Sequence, residues 1–285
     1  MTNEAELSLL ARQWGATAVP FGLVNANDWL QTPGAQKALA ALNQTAALRS
    51  VMLLCGANGV GKSPLVGRWM RSLDTRLFHP LCLTQATLSG TGILSALATK
   101  LGKPASFRRE RNLQLIEDAL DQLERRILVV ILDEAQNYSH ATLEEVRLLL
   151  GLNLPEQPAF ALVLLGDEYL LASLKLRNQR ALYSRLACQV SLEPWSPAQC
   201  TQYLNTALGA VGLSSSLLEA AAAELLVNAS AGLPRSLCLL ARAAWINAAL
   251  EKAQKVTPAH VNAAIHQVPC VPGLLGPSSA EPTSA

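Results

Sequence analysis

A chain of 285 residues, half of them hydrophobic, can bury a core for one large domain or two smaller ones. A net charge of +2 supplies little overall attraction for a polyanion, so nucleic acid would have to be met by a local basic surface or by many subunits acting together. Six cysteines without a CxxC pair and four histidines without ligand spacing speak against a disulfide framework and a zinc site, and predict reduced thiols in a cytoplasmic protein.

The N-terminal stretch MTNEAELSLLARQW carries acids and no long apolar run, unlike a secretory signal. Residues 1–30 are read as an N-terminal arm. No stretch approaches the roughly 20 apolar residues that cross a bilayer: ILVVIL ends at Asp133, and EAAAAELLVNAS is broken by Glu224 and Asn228. Membrane insertion is therefore not expected.

Over residues 31–193 short apolar runs alternate with helical patterns: SVMLLC before 62–72, FHPLCLT before 91–101, ILVVIL before 141–151 and FALVLL before 168–176. That alternation predicts an α/β core, a parallel sheet sandwiched between helices, with strands apolar on both faces. From Trp195 the pattern turns wholly helical, opening at SPAQ, where Ser196 caps, Pro197 fits the first helical position and Gln199 completes a capping box. Further helices are expected at about 215–228, 234–253 and 258–266, giving a small all-helical lid over 194–268. Pro, Gly and Ser dominate the end of the chain, and 269–285 reads as a disordered tail.

Two segments carry chemistry. GANGVGKS, Gly56 to Ser63, satisfies GxxxxGK[ST], with an apolar run before it and a helical pattern after it. In such a loop the backbone of Gly56, Ala57, Asn58, Gly59, Val60 and Gly61 wraps phosphates, Lys62 reaches the terminal ones and Ser63 ligates Mg²⁺. Pro64 follows at a position that usually supplies one more N–H, so a weaker grip on the nucleotide is expected, with the cradle intact. The second segment is ILVVILDEAQ, a strand that delivers Asp133 to the carboxyl edge of the sheet with Glu134 next to it. Asp133 is the candidate Mg²⁺ holder and Glu134 the candidate acceptor of a proton from attacking water, so the pair predicts ATP hydrolysis with Lys62 as the third catalytic group.

With these motifs the chain resembles the AAA+ ATPases and, within them, the ExeA/GspA-like branch, which is also similar to the transposition ATPases TniB, MuB and TnsC. The resemblance runs over about residues 20–266 through GANGVGKS, VVILDEAQNYSHATLEEVRLLL, ALVLLGDEYLLASL, SRLACQVSLEPWSPAQCTQYL and SAGLPRSLCLLARAAW, the DEAQN and GLPR segments being the narrower marks. It implies that Arg235 in GLPR contacts nucleotide bound to its own subunit. It also implies that Arg185 in YSRL, with Arg180 as the alternative, is a finger offered to a neighbour's ATP, which requires a homo-oligomer, ring or filament. The family usually has an uncharged polar residue where Asp167 stands. This carboxylate is expected to point away from phosphate, bond a lid arginine or help hold the metal, with slow hydrolysis as a consequence. The N-terminal arm, with Trp14, Phe21 and Trp29, either covers adenine, docks on a neighbouring subunit or is plain core.

Two tasks compete. The ExeA-like reading is the motor of a secretion or envelope-assembly system, whose family member continues into a membrane span and a peptidoglycan-binding region not found in these 285 residues. The preferred reading is a transposition regulator that assembles on double-stranded DNA with ATP and recruits a transposase. The resemblance points the DNA-facing role to Thr87, Ser89 and Thr91 and to the basic stretch KPASFRRER, with Lys103, Arg108, Arg109 and Arg111 in a loop between helices. A switch acting on another protein machine without DNA is the third reading.

Overall fold

A computed structural model describes residues 4–22, 30–84, 89–152, 157–177 and 179–269. Trp29, Thr87, Cys270 and the predicted tail beyond residue 269 lie outside the described residues. The chain divides into two compact units: an α/β unit of residues 33–58 and 62–193, and a helical unit that groups the described residues up to Thr32, Gly59–Gly61 and those from Pro194 on.

The α/β unit is built on five parallel strands, β1 (Val51–Cys55), β2 (Phe78–Leu83), β3 (Ile127–Leu132), β4 (Ala161–Gly166) and β5 (Leu186–Ser191), in the order β2-β3-β4-β1-β5. β1, β3 and β4 are central and almost wholly buried, as near-continuous apolar runs require. Alternate residues serve opposite faces. Val51, Leu53, Val130, Leu132, Leu162 and Leu164 enter one core with Ile93 and Leu97 of α4 (Gly90–Lys100), Ile116 of α5 (Arg109–Gln122) and Val146 of α6 (His140–Leu150). The other face is met by α2 (Pro33–Ala47), which contacts β1, β3, β4 and β5 and also touches α3 (Lys62–Ser72). The result is a helix–sheet–helix sandwich.

Two strands depart from the predicted doubly apolar pattern. β2 is half-exposed along most of its length because it is an edge, and that is where Pro80, which has no N–H to give a ladder, is tolerated. β5, LACQVS, is the opposite edge and carries no apolar run to mark it. The short helices α7 (Glu168–Leu174) and α8 (Arg180–Tyr183) connect β4 to β5.

The helical unit holds α1 (Glu4–Gln13), α9 (Pro197–Ala210), α10 (Ala220–Ser230), α11 (Pro234–Leu250) and α12 (Pro258–Gln267). Ser196 and Gln199 form the capping box read from SPAQ. The helix expected from residue 215 begins instead at Ala220, since Ser214 caps a single 3-10 turn over Ser215–Leu217. The N-terminal segment is part of this core: Trp14 stands edge-on to fully buried Trp245 with centroids 6.0 Å apart. Phe21, buried at φ 58°, is held by its carbonyl, which accepts from Arg242 Nε and Nη2 at 3.2 and 3.0 Å. Among the described residues no helix is long and apolar enough to cross a membrane.

Candidate nucleotide site

In a parallel sheet all strands deliver their following residues to the same edge. β3, β4 and β1 are neighbours in that order, so the turn Asp133–Glu134, the residues Gly166–Asp167 and the start of the loop, Gly56–Asn58, stand side by side. Gly59 and Gly61 adopt φ of 87° and 103°, conformations that side chains with a Cβ rarely take, which explains glycine at those two loop positions.

α3 begins at Lys62. The Lys62 side chain is buried within the loop, its Nζ donating to the carbonyls of Gly56 at 2.7 Å and Ala57 at 3.2 Å. Burial pulls its ammonium below the ordinary lysine value, against the opposing pull of the Glu134, Asp133 and Asp167 carboxylates. Pro64 lies in the first turn of α3, which runs unbroken to Ser72 because a proline there removes no intrahelical bond.

Ser63 Oγ donates to Asp133 Oδ1 at 3.2 Å, and the Glu134 amide donates to the same oxygen at 3.0 Å. A hydroxyl and a carboxylate converging at the edge of the sheet are hard oxygen donors of the kind Mg²⁺ takes alongside phosphate and water, so these residues fit that ion. Glu134 is half-buried at φ 52°, a left-handed conformation that costs of order 1–3 kcal/mol in a residue with a side chain. The turn is braced from below: the Leu83 carbonyl accepts from the Asp133 amide at 3.0 Å and from Tyr138 Oη at 3.1 Å. Burial raises the Tyr138 phenol to about 12.

Asp167 caps α7, its Oδ1 accepting from the amides of Tyr169 and Leu170 at 3.0 and 3.1 Å. A carboxylate that close to the start of a helix is explained by capping. Sequence reasoning missed Gln136, whose amide bonds both Glu134 and Asp167.

Arg235 opens α11, and within the helical unit its amide donates to the Gly59 carbonyl at 3.2 Å. Arg185 is not brought to the loop. It precedes the amino end of β5, on the opposite edge of the sheet, and its Nη1 donates to the Arg147 carbonyl at 2.9 Å. Arg180, the alternative, is exposed at the start of α8.

The basic stretch differs from the predicted loop. Arg108 immediately precedes α5 without a side-chain capping bond, and Arg109 and Arg111 lie in the first turn of that helix. Arg109 is tied to Glu145 at 2.9 Å, Lys103 donates to Gln122 at 2.7 Å and Arg111 reaches Gln114 at 3.4 Å. Ser89 spends its oxygen capping α4, and Thr91 is exposed. Buried Asn112 pins the segment by bonding Ser95 Oγ and both backbone groups of Ser106, and Phe107 beside it is fully exposed. Nothing in the residue pattern marked Asn112 or Phe107, since both roles depend on the packing of α5 against α4.

Residues 46–174 match the AAA domain family. The chain is 16% identical to the ORC2 protein of Aeropyrum pernix, solved as ADPNP–ADP complexes, with a TM-score of 0.66 over 87% of this chain and 70% of that one. The fold is the P-loop AAA+ fold. The ORC1 protein of Aeropyrum pernix, solved in complex with DNA, gives a TM-score of 0.67 at 19% identity over 86% of this chain and 68% of that one. In sequence the chain is 26% identical over 223 residues to general secretion pathway protein A of Aeromonas hydrophila, covering 76% of this chain and 40% of that protein. The chain thus matches 40% of the length of that relative.

Proposed function

We propose that the protein is an ATPase that assembles with ATP and Mg²⁺, on double-stranded DNA, and acts as a transposition regulator that recruits a transposase. The observation that carries the ATPase part is the convergence of Lys62, Ser63, Asp133 and Glu134 at one edge of the sheet. Lys62 holds the terminal phosphates, and Ser63 and Asp133 hold Mg²⁺, which when bound neutralises phosphate charge. Glu134 takes the proton of the attacking water. Arg235 contacts nucleotide in its own subunit, while Arg185 completes the site of a neighbour, which makes the working form a ring or filament of cytoplasmic subunits.

The DNA part is supported by the exposed side chains of Phe107, Arg108 and Arg111 on a pinned segment. Beside Arg109, which Glu145 engages, and Glu110, the exposed Arg108 and Arg111 at the start of α5 oppose the helix dipole, an arrangement that helix stability disfavours and phosphate would reward. Similarity to a protein solved with DNA points the same way. A filament would repeat these cations along the duplex, offsetting the low charge of each chain.

A second reading, an ATPase of a secretion or envelope-assembly system, is favoured by the likeness to general secretion pathway protein A. Electron microscopy of the protein with a non-hydrolysable ATP analogue, with and without duplex DNA, separates the two. Rings or filaments that need DNA support the transposition reading, and identical particles in both samples overturn it. Glu134→Gln should retain ATP and trap the assembled form.

A further inference from the structure

We infer that Gln136 is the positioning residue of Glu134, fixing one carboxylate oxygen and tying it to the end of β4. The inference rests on the ATPase reading above. Gln136 sits in a 3-10 turn over Ala135–Asn137, where its Nε2 donates to Glu134 Oε2 at 2.6 Å and its Oε1 accepts the Asp167 amide at 3.3 Å. The partners determine the amide's orientation: turned over, it would set oxygen against carboxylate and NH₂ against N–H.

The surroundings are shaped to receive this side chain. A Cβ added at Gly166 would come within 2.9 Å of Gln136 Oε1 and would also run into Leu170, so glycine at the end of β4 leaves room for the amide. The turn itself is anchored by fully buried Ala135 and by the Tyr138 bond to Leu83. Gln136 is consequently a half-buried strut between two neighbouring strand ends, those of β3 and β4.

The fold does not require the Glu134 bond, since a half-exposed carboxylate can be solvated by water. Its consequence is chemical. Confinement of one carboxylate oxygen by the Gln136 amide aims the other. Because the strut's far end is the backbone of Asp167, a shift at the end of β4 is transmitted to Glu134.

The test compares wild type, Gln136→Ala and Gln136→Glu in ATP turnover and in affinity for ATP with Mg²⁺, after thermal melting has verified folding. In Gln136→Ala, turnover should fall about tenfold with affinity for ATP unchanged. Gln136→Glu, an ionised carboxylate with no N–H to donate to Glu134, should lose at least as much turnover with affinity again unchanged. Wild-type turnover together with an unchanged rate in Gln136→Ala overturns the inference alone. A wild type that binds ATP without hydrolysing it overturns the ATPase reading and this inference with it.

Discussion

Ser63 Oγ and Asp133 Oδ1 lie 3.2 Å apart although 70 positions separate them in the chain. The sheet brings them together: Ser63 follows the loop after β1, Asp133 follows β3, and β4 lies between these two strands. Both would hold Mg²⁺ with phosphate. Asp133→Asn should therefore weaken the apparent Mg²⁺ affinity in the presence of ATP by about tenfold or more, roughly the loss of one charge-assisted contact. A Mg²⁺ titration of turnover checks this, and an unaltered midpoint would remove Asp133 from the metal site.

Pro64 leaves the start of α3 one N–H short. Pro64→Thr should restore that donor and tighten ATP binding by about 0.5–1.5 kcal/mol, or roughly two- to tenfold. Fluorescence titration with a labelled nucleotide reads the difference, and equal affinities would mean that residue 64 makes no contact.

Lys62 is the group through which pH should act on binding. Its ammonium is held below the ordinary lysine value by burial, so it begins to lose its proton below pH 10.5, whereas bound phosphate favours the charged form. ATP affinity should fall as pH rises toward 10.5, with a proton taken up on binding. Calorimetry in buffers of different ionisation enthalpy measures that uptake; none at alkaline pH would contradict the role given to Lys62.

Tyr138 braces the Asp133–Glu134 turn, and its phenol is raised to about 12 from an unfolded value near 10. The unfolded chain releases this proton first as pH rises. The stability Tyr138 contributes is thus complete below pH 10 and lost between 10 and about 12. Tyr138→Phe should be less stable at neutral pH and should lack that alkaline slope, as denaturant melts across this range would record.

Much of the site was legible in the residues because its parts are local. GANGVGKS is a strand–loop–helix unit whose spacing alone places Lys62 and Ser63 at the start of α3, and ILVVILDE places two carboxylates at a strand end. The central strands were equally readable, since burial on both faces leaves an uninterrupted apolar run. β5 was not, because an edge strand half in water carries mixed residues. What stayed hidden depends on contacts between distant segments. Asp167 resembled an intruder near phosphate until its capping bonds to Tyr169 and Leu170 accounted for it. Arg109 looked available to DNA, yet Glu145 on α6 engages it. Gln136 stood out only as a letter of DEAQN, because its bonds join the ends of β3 and β4, which lie apart in the chain.

The ATPase chemistry depends first on whether Gly56–Ser63 grips a triphosphate. Isothermal titration of ATP with Mg²⁺ into the purified protein, beside Lys62→Ala, measures it. Saturable binding to wild type and its loss in Lys62→Ala is the expected result; no heat with wild type, or the same affinity in both, would contradict the account.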